Sequence, residues 1–434
     1  MILKRIPARR IWTRAFSSTS AKREILDVEN LPDRIIPRYQ ESQTSDLLSL
    51  IWPSPPRNVL IIKKKRAPQV TESLLEYVKH IHTNYAPISF IFEPAVAAQI
   101  HKHIPFSIYT SSTPGDLASK VDITTTLGGD GTILHASSLF STERHVPPIL
   151  SFSMGTLGFL GEWKFSEYKR AFREVYMSGA GAGSPLLQDQ KHPHLETNPG
   201  TNEMGGADGD GDVVTGWSGV RGKSMGPSRS SKILLRNRLK VGVFDAHGNR
   251  VVGDNSSVSA LGDVHAMNEV IIHRGKEAHL AVIEVFVGGR FLTEAVADGM
   301  IISTPTGSTA YSLSSGGSII HPLVSSLMLT PICPRSLSFR PLVLPAKTPI
   351  TLRLSEKNRG RELEVSIDGQ RRSIGVGVGM EVRVNGEVIV KGKEWNGGVP
   401  CIMRGTKTGN DEDDGWVGGL NGLLKFNYPF GGEE

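Results

Sequence analysis

Thr125-Thr126-Leu127-Gly128-Gly129-Asp130-Gly131-Thr132 decides how the rest of the chain is read. It follows an apolar, β-branched run from Val121 to Thr126 and precedes Ile133 and Leu134, where a helix is expected to begin near Thr132. The reading is therefore strand, glycine turn, helix. In an α/β layer that junction lies at the carboxyl end of a strand, where ligands bind. Gly128, Gly129 and Gly131 let the backbone approach an anionic group closely, and the N–H groups that open a helix present a positive dipole end. Asp130 would repel a phosphate. A carboxylate placed there is a candidate proton acceptor, or a ligand for the metal ion that screens the phosphate. An aspartate capping the helix on a glycine turn would leave the same pattern without chemistry.

A second stretch, Asp298 to Ser312, couples the short apolar strand Met300-Ile301-Ile302 to the hydroxyl-rich turn Thr304-Pro305-Thr306-Gly307-Ser308-Thr309-Ala310-Tyr311. One hydroxyl suffices to cap a helix, so a run of them points further, to ribose hydroxyls and phosphates.

Around these stretches the chain divides in two. Asn58-Val59-Leu60-Ile61-Ile62 reads as a buried strand ending in Lys63-Lys64-Lys65-Arg66, a cationic tetrad expected near nucleotide phosphates. Leu74, Leu75, Val78 and Ile81 have helical spacing; Ile88 to Phe92 and Ile149 to Phe152 are further strands. Residues 58–177 are thus expected to form an α/β domain with a Rossmann-like parallel sheet. Phe165, Tyr168, Phe172 and Tyr176 recur at helical intervals, a stripe assigned to packing. From 231 to 403 short β segments repeat, including Ile233 to Leu239, Ala281 to Val287, Ile350 to Leu354 and Glu387 to Val390, with turns at Gly288-Gly289 and Asn385-Gly386. They describe a β-rich domain of layered, sandwich-like sheets. Residues 24–57, punctuated by five prolines, read as an extended lead-in, and 404–434 as a tail.

Residues 178–230 are rich in Gly, Ser, Pro, Asp and His without apolar period, and read as a disordered insertion. Gly222-Lys223-Ser224 within it imitates the end of a P-loop, but the preceding Gly216 is one residue out of register and no strand leads in. Residues 1–23 contain seven cations (Lys4, Arg5, Arg9, Arg10, Arg14, Lys22, Arg23), no acid, and a serine cluster after Arg14-Ala15-Phe16. That is the composition of a mitochondrial transit peptide. Without those seven, the 49 basic residues become 42 against 43 acidic ones, so the basic balance is a targeting signal and indicates no nucleic-acid partner. No apolar run approaches the roughly 18 residues of a membrane span. A matrix protein without a membrane partner is expected. Cys333 and Cys401, the two cysteines, have no metal-ligand spacing, and Cys333, flanked by Pro331 and Pro334, is expected to be a buried small residue.

Five pieces carry a resemblance: Gly128 to Thr132; Gly155-Thr156-Leu157-Gly158-Phe159-Leu160; Asn268-Glu269; Asp298 to Tyr311; and Thr330 to Pro334 with Ser336 to Pro341. In this order they resemble the NAD kinase family, and with the basic leader its mitochondrial, NADH-preferring branch. Gly-Gly-Asp-Gly is shared with lipid and phosphofructo-kinases, whereas Thr304 to Tyr311 is far more specific. The resemblance implies transfer of the γ-phosphoryl of ATP to the 2′-hydroxyl of the adenosine ribose of NAD(H), with magnesium accompanying ATP and with Asp130 as base. It implies nucleotide contacts at Gly128, Gly129, Gly131 and Thr132, and acceptor contacts at Phe159, Asn268, Glu269, Thr306, Ser308, Thr309, Ala310, Tyr311 and Ser314. Asp298 would meet the nicotinamide side, and His279 and Gln370 would reach toward substrate. Glu269 is an alternative base. A homo-oligomer, dimer or tetramer, is implied as well. Two rivals stand beside it: a lipid kinase sharing the glycine loop, and a non-catalytic NAD-binding sensor. A dehydrogenase is disfavoured, since no Gly-x-Gly-x-x-Gly opens the first domain.

Overall fold

The structure, a computed structural model, describes residues 23–404 apart from 43–44, 86, 112, 156–157, 180–229, 252–262, 374 and 393–394, together with Leu420 and Leu424. The basic leader, nearly all of the 178–230 segment and nearly all of the tail lie outside the described residues.

All six residues of strand Asn58–Lys63 are buried. Val59 and Ile61 enter one core with Leu74, Tyr77, Val78 and Ile81 of helix Pro68–Asn84. Leu60 and Ile62 enter a second core with Ile133, Ala136 and Phe140. Alternate residues thus face opposite layers of helices, which is why the strand is apolar without a break. Asn58–Lys63 pairs in parallel with Ser89–Phe92 on one side and Ile123–Gly128 on the other, and the latter pairs in parallel with Ile149–Ser153. Helices Pro68–Asn84, Pro94–Ile100 and Pro114–Lys120 each open on a proline, whose missing N–H costs nothing in the first turn. The aromatic stripe of helix Tyr168–Tyr176 packs against Tyr77, whose ring lies 5.8 Å from Tyr168 and 6.0 Å from Phe172.

The lead-in is more ordered than its prolines indicate. Ile25–Asp27 runs parallel to Ile108–Thr110, and Arg38–Gln40 pairs with Leu48–Ile51, which joins Lys232–Arg236. Lys232–Arg236 pairs in turn with Val399–Ile402, which lies beside Ile149–Ser153, so both ends of the 231–403 stretch complete the first sheet of eleven strands. Strands of three or four residues carry too little period to be recognised when their partners stand far away in sequence. Ser178 and Ser231 meet directly: the Ser231 N–H donates to Ser178 Oγ at 2.9 Å, and Ser178 Oγ donates to Leu50 O at 2.6 Å.

Between those ends, two antiparallel sheets of six and seven strands face one another. Ile283, Val285, Leu352 and Val382 from one meet Val270, Ile272, Met300 and Val365 from the other in a single core. This is the expected layered β domain. Gly288 and Gly289, at φ +60° and +77°, make the two-residue hairpin between Ala281–Val287 and Arg290–Ala297. Asn385-Gly386 is no turn. Strand Glu381–Gly386 runs through it, the Gly386 N–H donates to Ala346 O at 2.8 Å, and a Cβ would sit 2.6 Å from that oxygen. The expected strand from Glu387 to Val390 is absent; only Val390 makes a bridge, to Asn396. Cys401 is buried, whereas Cys333, expected inside, is exposed at φ +44°, because the chain reverses there after strand Ser326–Ile332. Among the described residues no helix is long and apolar enough to cross a membrane.

Candidate active site

The register of the parallel strands sets Lys63 beside Leu127, and Gly128 beside Ser153, along one carboxyl edge. Lys63 is buried there while Lys64, Lys65 and Arg66 are exposed, with Arg66 at φ +56° turning the chain away. The cationic tetrad therefore borders the glycine loop.

Helix Asp130–Ser138 is capped by the Gly129 backbone without a side-chain bond, which removes the capping role for Asp130. Its carboxylate instead reaches across to the next glycine turn. Phe159 N–H donates to Asp130 Oδ2 at 2.9 Å and Leu160 N–H to Oδ1 at 3.1 Å. Gly158 makes this possible: a Cβ on it would stand 2.2 Å from Asp130 Oδ1. Gly128 has no room for a side chain either, since Thr132 Oγ1 would lie 2.1 Å from its Cβ. Gly129 and Gly131 differ from both. They are exposed, and open space surrounds the position of a Cβ on each. Two glycines thus seat neighbours, and two keep the approach to Asp130 clear.

Met267 packs in the core that holds Ile133, Ala136 and Leu160, which carries Asn268-Glu269 to this edge. The hydroxyl-rich turn is locked onto the same dipeptide. Thr304 N–H donates to Asn268 O at 2.8 Å, Thr304 Oγ1 donates to Met267 O at 2.6 Å, and a Cβ on Gly307 would come within 2.2 Å of Asn268 O. Asn268 and Glu269 are buried, yet Asn268 Oδ1 and Glu269 Oε2 have no hydrogen-bond partner among the described residues. Buried polar atoms are rarely left so, and ordered water or a bound ligand supplies the missing bond. Burial, with the Asp368 carboxylate nearby, pushes the Glu269 carboxyl up to about 8. Glu269 is therefore a neutral acid around pH 7, able to donate a hydrogen bond.

Turn Thr306–Thr309 leads into the short helix Tyr311–Ser314. Within it the expected ligand residues divide. Ser308 is fully buried, donating to Pro305 O at 2.6 Å and accepting from Ile320 N at 2.9 Å, and Thr306 Oγ1 accepts from buried Arg236 Nη1 at 3.4 Å. Both shape the turn. Thr309 and Ala310 are half-buried and Tyr311 and Ser314 exposed, so these four remain accessible. Asp298 stands apart. It precedes Gly299–Ser303, at the opposite end of that strand from Thr304, on the order of 20 Å away at the usual strand rise. There Arg274 Nε donates to Asp298 Oδ1 at 2.5 Å. His279, exposed in the turn after strand Glu269–His273, lies toward that end too, so a single chain does not bring these two to the Asn268-Glu269 cluster. Gln370 is exposed, and its Nε2 lies 3.4 Å from Ser138 Oγ at the end of the helix that Asp130 opens.

Three residues beyond the sequence-derived set belong here: Gly158, Arg236 and Asp368. Gly158 lay in a quoted motif without a role. Nothing in the sequence marks Arg236, and Asp368 is signalled only by the Asp-Gly turn it begins.

The architecture and these motifs coincide with those of known proteins. Residues 60–180 match the family model described as the ATP-NAD kinase N-terminal domain, and residues 267–386 match the ATP-NAD kinase C-terminal domain. The mitochondrial NADH kinase pos5 of Schizosaccharomyces pombe is 39% identical over 411 residues, 93% of this chain and 85% of that protein. The mitochondrial NADH kinase POS5 of Saccharomyces cerevisiae is 34% identical over 94% of this chain and 89% of its own length. The crystal structure of yeast NADH kinase complexed with NADH superimposes with a TM-score of 0.72 at 33% identity, covering 95% of this chain and 98% of that one. With both halves matched in order and the relatives covered over most of their length, the chain belongs to the NAD kinase family.

Proposed function

We propose that this chain moves the γ-phosphoryl of ATP to the 2′-hydroxyl of the adenosine ribose of NAD(H), with Asp130 as general base. The observation that carries the role of Asp130 is its setting: a half-buried carboxylate held by two backbone N–H groups between two glycine turns, beside the open space at Gly129 and Gly131. The two amides fix its direction, and each oxygen keeps a further lone pair for a proton. As the ribose oxygen bonds to the γ-phosphorus its proton passes to Asp130, and the bond to the bridging oxygen breaks, releasing ADP. General-base assistance of this kind is worth about 10²–10⁴-fold.

The rest of the site positions and neutralises. Asn268 and Glu269 hold the acceptor through the side-chain oxygens that lack protein partners, with Phe159, Thr309, Ala310 and Tyr311 bordering the adenosine. Lys63 to Arg66 and the N–H groups at the start of helix Asp130–Ser138 face the triphosphate. Among the described residues no group of three His, Cys, Asp or Glu side chains forms a metal centre. A magnesium ion carried on phosphate oxygens keeps several waters and needs no dedicated cage of protein ligands. When bound, that ion would screen the phosphate charge.

NADH is the acceptor we favour and the mitochondrial matrix the compartment, on the basic leader and on relatives named as mitochondrial NADH kinases. A homo-oligomer is expected, which light scattering would test. For the base, the test is Asp130→Asn: kcat is expected to fall at least about 100-fold with the fold retained, the melting temperature falling by at most a few degrees because asparagine keeps one of the two oxygens that accept Phe159 and Leu160 N–H. Turnover near that of the unaltered protein would remove Asp130 from the role.

A further inference from the structure

The hairpin turn Asp368-Gly369 joins strands Glu362–Ile367 and Gln370–Arg371. Its first residue adopts φ +47° and the second +74°, and the turn lies against the start of strand Glu269–His273, where the Asp368 N–H donates to Glu269 O at 3.0 Å. From there the Asp368 carboxylate accepts three successive backbone N–H groups. Met267 N–H reaches Oδ2 at 2.8 Å, and Asn268 and Glu269 N–H reach Oδ1 at 2.7 and 3.2 Å.

This is more than strand pairing requires. The ladder to Glu362–Ile367 begins at Val270, so without Asp368 the three preceding residues would have no such restraint on this side. Those three are the residues on which the site is assembled: Met267 O and Asn268 O receive the Thr304 hydroxyl and N–H, and Asn268 Oδ1 and Glu269 Oε2 are the buried atoms awaiting partners. Hydrogen bonds to a charged acceptor are about twice as strong as neutral ones, so the carboxylate is well suited to hold an irregular segment still. Two residues on, Gln370 touches Ser138 on the helix that begins at Asp130. One turn thereby borders both the acceptor-holding dipeptide and the helix of the base.

We propose that Asp368 is a positioning residue for the acceptor dinucleotide, fixing Met267-Asn268-Glu269 so that the Asn268 amide and Glu269 carboxyl meet the nucleotide while ATP is held independently. The proposal rests on the reading of Asn268 and Glu269 given above. Burial holds the Asp368 carboxyl above its ordinary value, and the three amides, together with the Arg372 guanidinium, oppose that rise.

The test is steady-state kinetics of the full chain with Mg-ATP and NADH, comparing Asp368→Ala and Asp368→Asn with the unaltered protein. Asp368→Ala frees all three amides, and KM for NADH is expected to rise about 10- to 100-fold, the scale of a misplacement near one ångström, with KM for ATP within about twofold. Asp368→Asn keeps an oxygen at Oδ1 for two of the amides and should fall between the two, a graded rescue that also covers the case in which the alanine variant does not fold. Proportionate loss of kcat with both KM values unchanged, or equal rises in both KM values, would mean a purely structural Asp368 and overturn the proposal. If the unaltered protein phosphorylates neither NADH nor NAD, the underlying functional reading fails instead, and that outcome is read from the control before any variant is compared.

Discussion

Gly158→Ala places one methyl group against the proposed base. The added Cβ would stand 2.2 Å from Asp130 Oδ1, 2.6 Å from its carboxyl carbon and 2.8 Å from Oδ2. Ordinary contact begins near 3.4 Å, so the carboxylate has to retreat by about 1.2 Å. Gly158 does not occupy the left-handed region, and alanine therefore adds no backbone strain of its own. The retreat breaks the bonds from Phe159 and Leu160 N–H, each worth about 1.5–3 kcal/mol as a bond to a charged acceptor, part of which water recovers at this half-exposed position. A shift near one ångström at a reacting group typically costs about 100-fold in rate. The expected result is a kcat lowered about 30- to 300-fold, a melting temperature lowered by a few degrees and dinucleotide binding retained. Single-turnover phosphoryl transfer and titration of dinucleotide, performed on the same preparation, separate these quantities. A Gly158→Ala protein with kcat within threefold of normal would show that the seat on the second glycine turn does not matter for Asp130, and the geometric argument for its role would fail.

Protonation of Glu269 and the closeness of Ser178 to Ser231 each lead to a measurable outcome. Glu269 carries a proton in the folded chain at pH values where the unfolded chain has lost it, because its carboxyl is pushed up to about 8 from 4.5. Its contribution is fully present below about 4.5, declines as pH rises through this window and is gone above about 8, with a slope of at most about 1.4 kcal/mol per pH unit. Glu269→Gln imitates the protonated form, so its melting temperature should fall less than that of the unaltered protein between pH 5 and 9; identical profiles would contradict the assignment. Deleting 180–229 joins Ser178-Gly179 to Ser230-Ser231, a four-residue turn closing a gap already bridged by the Ser231 to Ser178 hydrogen bond. Kinase activity and melting temperature should persist, and a folded but inactive product would place chemistry in that segment.

What could be read from the sequence was what repeats locally. Strand Ala281–Val287 alternates buried and half-buried residues, and Asn58–Lys63 is apolar throughout because helices cover both faces. Strand Arg290–Ala297 went unread, since its first three residues are exposed at a sheet edge, and Leu342–Pro345 for a similar reason. Gly128 and Gly307 were visible as glycines, but not what they make room for, the Thr132 side chain and the Asn268 carbonyl. Nor does spacing along a motif equal distance. Asp298 and Thr304 are six residues apart in the sequence, yet an extended strand holds them at its two ends. Asp368 acts through backbone amides about a hundred residues earlier, a relation that carries no side-chain signature.

The most direct test of the central assignment is the product. The full chain is incubated with Mg-ATP and either NADH or NAD, and the phosphorylated dinucleotide is located by phosphorus NMR and by a coupled assay specific for NADP(H). A phosphate on the adenosine 2′-hydroxyl, formed faster from NADH, is the expected result. Tight dinucleotide binding without any phosphorylated product, or phosphorylation of diacylglycerol in its place, would contradict the account.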